Sequence, residues 1–381
     1  MYDNYRANMP GICRGLMHQY YVYHNKNRSW RNGNASRPRH DPAADVAEFA
    51  LNGGIHLTQV TTIDSVPGHG TRGGLPRTEA DFGKRFGSEE ACRDYLFRLR
   101  WPEGFRCPRC WQAKAWQLRS ALWQCANCAY QASLTAGTIF QDTRTPLRVW
   151  FRALWWMTSQ KNGVSALGLQ RVLGLGSYQT AWCWMHKLRR AMVRPGRDRL
   201  SGTGEVDEAY VGAPEEGMRG RKTQTKALVV VAAQEDGRRI GRIRMRRIAD
   251  ASAESQMPFV EESIQPGSVV HTDGWLGYAP LESNGYRHQI TVLRGQPNPS
   301  ELLPRVHRVI SLLKRWLLGT HQGAVSLEHL DYYLDEFTFR FNRRRSRSRG
   351  KLFFRLVQQA TAVEPSTYRS IVSSAKISSR S

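Results

Sequence analysis

Glu205-Val206-Asp207-Glu208-Ala209-Tyr210-Val211, followed after a break by Lys226-Ala227-Leu228-Val229-Val230-Val231-Ala232-Ala233-Gln234, is where the chain changes from a helical to a strand-like period. The first stretch reads as a strand, and the second is a nearly continuous apolar run of the kind buried on both faces of a sheet. Arg238 to Ile248 then alternates Ile and Met with Arg and ends at Ala249-Asp250. Glu254 to Ile264 has helical spacing, and Ser268-Val269-Val270-His271-Thr272 is a further strand that delivers Asp273 just before Gly274. Three strands, a helix, a strand and more helices make an α+β or mixed α/β layer over residues 200–345.

Asp207 and Asp273 fall at or near the ends of two strands that this order makes neighbours. Carboxylate oxygens are the ligands that Mg²⁺ and Mn²⁺ prefer. Two such ions about 3.5–4 Å apart would activate a water or 3′-hydroxyl and stabilise the leaving oxygen of a phosphodiester. Either aspartate alone reads as a turn or cap residue, so the expectation rests on the pair.

Residues 145–195 read as helices. Pro146 suits a first turn, and Val149, Trp150, Ala153, Leu154, Trp156 and Met157 form a broad apolar face. Ser165 to Leu173 is a short amphipathic helix, Gly174-Leu175-Gly176 a turn, and Ser177 an N-cap for Tyr178 to Met192. This is the grammar of a helix-turn-helix, whose second helix enters the major groove by its N-terminus. Tyr178, Gln179 and Thr180 are then placed for base edges, and Lys187, Arg189 and Arg190 for phosphates. The competing reading is an ordinary helical hairpin whose Trp182, Trp184 and Leu188 are core.

Cys107-Pro108-Arg109-Cys110 and Cys125-Ala126-Asn127-Cys128 are two Cys-x-x-Cys knuckles in residues 101–135. Ala115-Trp116-Gln117-Leu118 and Trp123-Gln124 read as a hairpin that brings the second knuckle back to the first. Four thiolates complete a tetrahedral Zn²⁺ shell with no open position, so this zinc is structural. Disulfides or a redox pair are the alternative, disfavoured in a reducing cytoplasm. Cys13, Cys92 and Cys183 have no partner knuckle and read as buried or incidental thiols.

The chain's 56 Lys+Arg against 32 Asp+Glu give a net charge of +24 over 381 residues, which makes a polyanion the expected partner. No apolar run is long enough to span a bilayer, and the first thirty residues lack an apolar core followed by a small-residue cleavage site. Residues 1–76, poor in aliphatic side chains and rich in Asn, Arg, Gly, Pro and His, read as a disordered extension. Residues 77–100 read as a short helical segment that opens the folded part, with Ser88-Glu89-Glu90 as a helix start. At the other end, Leu330, Tyr333, Leu334, Phe337 and Phe341 share a helix face. This helix runs into Arg343-Arg344-Arg345-Ser346-Arg347-Ser348-Arg349, a density that favours DNA phosphates. Residues 346–381 read as a basic, flexible tail.

Several of these motifs occur together in one family. The knuckles, Ser165 to Arg171 with Thr180 to Lys187, the strand Val206 to Gly212, His271-Thr272-Asp273-Gly274-Trp275-Leu276-Gly277-Tyr278, and Leu330 to Arg345 resemble insertion-sequence transposases of the ISXO2-like group, in the DDE-type superfamily. The resemblance covers roughly residues 77–360. It implies a zinc ribbon, a helix-turn-helix and a ribonuclease-H-like nuclease core that cuts and joins transposon ends with Mg²⁺ or Mn²⁺. It also implies Asp207 and Asp273 as the first two members of an acidic triad, a dimer or higher oligomer on double-stranded DNA, and a bacterial cytoplasm at the nucleoid.

The third member departs from an Asp-Asp-Glu pattern, because the helix Pro304 to Leu317 contains no acid. His307 and the position of Leu312 are the two placements. His307, Ser311 and Lys314 share one face of that helix, while Leu312 lies round the cylinder with the apolar residues, which selects His307. Lys314 then lies within reach of phosphate or developing charge, or is simply a solvated lysine. Two other functions stand against transposition. One is a non-catalytic DNA-binding protein derived from a transposase, which keeps its binding modules without the chemistry. The other is a zinc-ribbon protein of the transcription machinery, which leaves both aspartates unexplained.

Overall fold

A computed structural model describes residues 74–194, 196–212, 226–292, 302–323 and 325–372. The expected extension, apart from its last residues, and the end of the expected tail lie outside these. The sheet that the opening stretch announces has five strands: β4 (Thr203–Gly212), β5 (Lys226–Asp236), β6 (Arg239–Ile248), β7 (Val269–Thr272) and β8 (Arg287–Ile290). The three strands before it, β1 (Ala115–Gln117), β2 (Trp123–Cys125) and β3 (Gln131–Ala132), form a separate small sheet. The large sheet has the order β6-β5-β4-β7-β8. β4, β5 and β6 form an antiparallel meander, and β7 and β8 continue the sheet in parallel with β4. β8 is not anticipated, because Arg287-His288-Gln289-Ile290 is a four-residue edge strand without apolar alternation.

The apolar run of β5 is buried on both sides of the sheet, as its composition requires. Val229, Val231 and Ala233 face a layer of two helices, α7 (Pro304–His321) and α8 (Leu330–Asn342). Leu228, Val230 and Ala232 face α6 (Ala253–Ser263) and the 3₁₀ turn Leu276–Leu281. Helices on both faces thus make a three-layer mixed domain. Odd-numbered β4 residues look toward α7 and even-numbered ones toward α6, because side chains alternate along a strand.

The remaining helices are α1 (Glu79–Arg85), α2 (Glu89–Arg100), α3 (Leu147–Ser159), α4 (Ala166–Leu173), α5 (Tyr178–Arg190) and α9 (Arg349–Ala362). They share one aromatic core in which Trp150 and Trp184 stack at 3.6 Å. Pro146 gives α3 no side-chain cap; instead Glu89 of α2 accepts from the Leu147 and Arg148 amides at 2.9 and 3.0 Å. The flexible-tail reading fails over Arg349–Ala362, which form a packed helix. Ser348 caps α9, and Phe353, Phe354, Leu356, Val357 and Ala360 are buried, Phe353 against Phe82, Phe86, Phe151 and Trp155. The apolar stripe was masked by the basic and serine residues around it.

Candidate functional site

The four cysteines assemble as their spacing predicts. Cys107 Sγ lies 3.6 Å from Cys128 Sγ, Cys110 Sγ lies 3.5 Å from Cys125 Sγ, and all four are within 4.8 Å of one another. A tetrahedron with Zn–S of ~2.3 Å has edges near ~3.8 Å, so the set fits one zinc ion. The two knuckles are built alike. The residue after each second cysteine, Trp111 and Ala129, adopts a positive φ (61° and 55°) and donates its amide to the first cysteine's carbonyl. β1 and β2 pair with Trp116 opposite Gln124, and Phe97 packs on Trp123 at 4.5 Å to join the knuckles to α2. Cys110→Ser or Cys128→Ser is expected to release about one zinc per chain, read by elemental analysis, and to melt this hairpin. A chain that keeps the hairpin's amide protection with no metal bound would refute the structural role.

The second grouping lies at the end of the large sheet. β4 and β7 run parallel with Thr203 opposite Val269 and Glu205 opposite His271, and two residues further along each chain stand Asp207 and Asp273. Asp207 Oδ1 accepts from the Glu208 amide at 2.8 Å, and its Oδ2 lies 3.1 Å from His307 Nε2 on α7. Asp273 is oriented by its own loop, accepting from the Trp275 amide at 3.0 Å. That loop turns at Gly274, whose φ is +80° and whose Cβ, if it had one, would meet Ile290 Cγ2 at 2.6 Å, so only glycine fits. Among the described residues only the cysteines bring three or more ligand atoms within 4.8 Å of one another. Asp273 therefore does not close on the Asp207–His307 pair to that distance.

Two further carboxylates flank Asp207, the buried Glu205 and the half-buried Glu208, and neither is singled out by the sequence. Glu205, 3% exposed, lies on the same face of β4 and accepts from the Arg305 and Val306 amides at 2.7 and 2.8 Å and from Arg305 Nη1 at 2.9 Å. It caps α7, whose own N-cap, Leu303, has no side-chain acceptor, and so sets where His307 arrives. On the opposite face Glu208 accepts from Tyr278 Oη at 3.0 Å; burial, with this carboxylate beside it, holds the Tyr278 phenol well above the usual tyrosine range. Glu205→Gln is expected to weaken the cap by about 1.5–3 kcal/mol, measured by denaturant unfolding, the worth of hydrogen bonds to a charged group.

The other named residues divide. Ser311 and Lys314 are exposed on α7, and Leu312 is half-buried against the α7–α8 core. Tyr178, Gln179 and Thr180 are exposed at the start of α5, with the Gln179 amide donating to Tyr368 Oη. Arg190 is exposed and Lys187 half-buried. Arg189 is corrected. It is 2% exposed, its Nε is 2.8 Å from Glu336 Oε2 and its guanidinium lies 3.9 Å over Tyr333, so it points inward. The run at 343–345 is partly engaged within the chain. Arg344 donates to the carbonyls of Phe341, Gly241 and Ile240, and Arg345 pairs with Asp236 at 2.9 Å.

A four-cysteine cluster, a helical region, and Asp207 in mid-β4 level with Asp273 just past the end of β7 are the elements of the site. Residues 199–342 match the ISXO2-like transposase domain, and residues 87–131 match the transposase zinc-ribbon domain. Two segments of the chain are thus similar to the two domains found in ISXO2-like transposases. A protein of the transposable element ISH50 of Halobacterium salinarum is 28% identical over 280 residues, covering 68% of this chain and 92% of that protein. No helix among the described residues is long and apolar enough to cross a membrane.

Proposed function

We propose that the chain is a DNA transposase. In this reading residues 200–345 are a ribonuclease-H-like catalytic core, preceded by a structural zinc ribbon at 101–135 and a helix-turn-helix at 145–195. The observation that carries it is the 3.1 Å pairing of His307 with Asp207, at the level where Asp273 leaves the neighbouring parallel strand, within the span that matches a transposase domain. Asp207, Asp273 and His307 would hold Mg²⁺ or Mn²⁺. Ligands of two ions ~3.5–4 Å apart need not all approach one another closely, so a close pair with a third ligand further off suits such a set. When bound, the ions supply activation of the attacking water or 3′-hydroxyl and stabilisation of the leaving oxygen.

The chain's own residues supply position. Glu208's amide and Trp275's amide each fix one aspartate, and Glu205 fixes the helix that presents His307. Lys314, two turns along that helix and exposed, would contact a phosphate of the bound strand. Tyr178, Gln179 and Thr180 would read base edges of the terminal repeat, with Lys187 and Arg190 on phosphates. Arg343 to Arg345 extend the phosphate surface beside the sheet. Joining two element ends to target DNA calls for at least two such sites, hence a homodimer or higher assembly on DNA.

The test is a labelled duplex carrying an element end, incubated with the full chain in Mg²⁺, in Mn²⁺ or in chelator. Nicking and joining only with a divalent ion is expected. A protein that shifts this DNA and never cuts it would leave a DNA-binding protein in place of a transposase.

A further inference from the structure

Beside Asp273 the sheet opens into a cavity of about 460 Å³ lined by Tyr210, Lys226, Leu228, Asp250, Ser252 and Trp275. One wall is shared with the carboxylate site: the Trp275 backbone amide holds Asp273, while its indole Nε1 donates to the Ala251 carbonyl at 2.7 Å. The indole is therefore anchored at its only donor, and the side chain remains 36% exposed. Tyr210 supplies a second aromatic ring from β4, and its buried cross-strand partner Leu228 on β5 adds an apolar lining residue. Polar groups complete the lining. Asp250 receives the Ser252 amide, the Ser252 hydroxyl and the Ser255 hydroxyl, all on Oδ1. Those hydroxyl and amide donors hold its carboxyl below the usual aspartate range, so it is ionised at neutral pH.

A flat, apolar-faced ligand with a hydrogen-bonding edge fits two aromatic walls, a carboxylate acceptor and an ammonium donor. A nucleobase has this form, and a chain of net charge +24 favours nucleic acid as a partner. We propose that this cavity takes one base of the DNA, unstacked from the duplex beside the scissile phosphate, with Trp275 and Tyr210 as its stacking surfaces and Asp250 and Lys226 on its edge. The proposal rests on the transposase reading, since that reading puts a scissile phosphate at Asp273. Unstacking a base next to the cut would free the strand for in-line attack and make cleavage sensitive to the identity and pairing of that base.

The experiment uses the full chain and duplexes that span the element end, each with a single mismatched pair at one position within three nucleotides of the cut. Binding is read by anisotropy in chelator and cleavage in Mg²⁺ on the same duplexes. At one position a mismatch should tighten binding by roughly tenfold, because unpairing is already done. That gain should vanish in Trp275→Ala and in Tyr210→Ala, and return in Trp275→Phe, which keeps a stacking face. Two variants on different strands and loops guard against a local folding defect in either. Mismatches that leave affinity within about twofold at every position, or a gain that survives both alanine variants, would overturn the base pocket. Cleavage in the same series separates the two readings: cutting without a mismatch effect removes the pocket alone, whereas no cutting of any duplex removes the transposase reading and, with it, the scissile phosphate beside which the pocket stands.

Discussion

Replacing Asp207 with Ala is expected to lower strand cleavage at least about 10³-fold while leaving DNA affinity within about threefold. Loss of one preorganised electrostatic group in an active site already costs about 10²–10³ in rate. In the proposed function Asp207 does more, since it would be a cation ligand as well as the partner of His307. Affinity should survive because phosphate contacts dominate it, and a carboxylate contributes none of these. The neighbouring substitution is the more discriminating one. In the same reading His307→Ala would remove a ligand, whereas His307→Glu would supply an oxygen donor, which hard Mg²⁺ favours over imidazole nitrogen. His307→Glu should therefore keep activity and raise the Mg²⁺ rate relative to Mn²⁺, with His307→Ala well below both. Cleavage by Asp207→Ala at near wild-type rate, measured on labelled element ends, would remove the site from this part of the sheet.

Sequence patterns were informative wherever the physics is local. The Cys-x-x-Cys spacing predicts the sulfur cluster because each knuckle is a tight turn of its own chain. β4 to β7 are legible because their side chains carry a period of two or a two-sided apolar run. Gly174, at φ +64° in the left-handed region, and Ser177, whose hydroxyl accepts from Gln179, mark the turn between α4 and α5 where they were expected. What escaped depends on partners remote in the chain. Glu205 caps a helix that begins a hundred residues later, and nothing around it in the sequence says so. Arg189 looks like its basic neighbours Lys187 and Arg190, yet a carboxylate 147 residues away draws it into the interior. The helix α9 was hidden for a compositional reason, since its apolar stripe is interleaved with Arg, Lys and Gln. His307 occupies a middle position. Helix periodicity separates it from Leu312, but only the folding of α7 onto β4 brings it to Asp207.

Glu336→Ala is expected to destabilise the fold by about 3–5 kcal/mol, the range for removing one partner of a buried ion pair and leaving the other charge uncompensated. Glu336 is fully buried on α8 between Arg189 of α5, at 2.8 Å, and Arg340, at 2.7 Å. Arg340 also donates to the Met157 and Gln160 carbonyls just where α3 ends. Two residues on, Asn162 offers its carbonyl to Trp316 and Thr320 of α7. This carboxylate thus joins α5 to α8 on the Asp207 side of the sheet, next to the Asn162 carbonyl that holds α7. Burial alone would raise its pKa, but Arg340 and Arg189 outweigh that and hold it at about 2, below the ordinary 4.5. A depressed carboxylate stabilises above its unfolded pKa, so this contribution should be lost as pH falls from about 4.5 to about 2. Beside it, burial keeps His186 and His321 neutral down to about 2 and about 4. Their folded pKa values lie below the unfolded 6.5, so the unfolded chain binds the proton first and stability already declines below pH 6.5. Urea unfolding from pH 8 to 3 should show the wild type falling in two overlapping steps, the upper one reduced in His186→Phe and the lower one flattened in Glu336→Gln. A wild-type stability that stays level from pH 6.5 to 3 would mean that neither the ion pair nor the histidines titrate as their surroundings require.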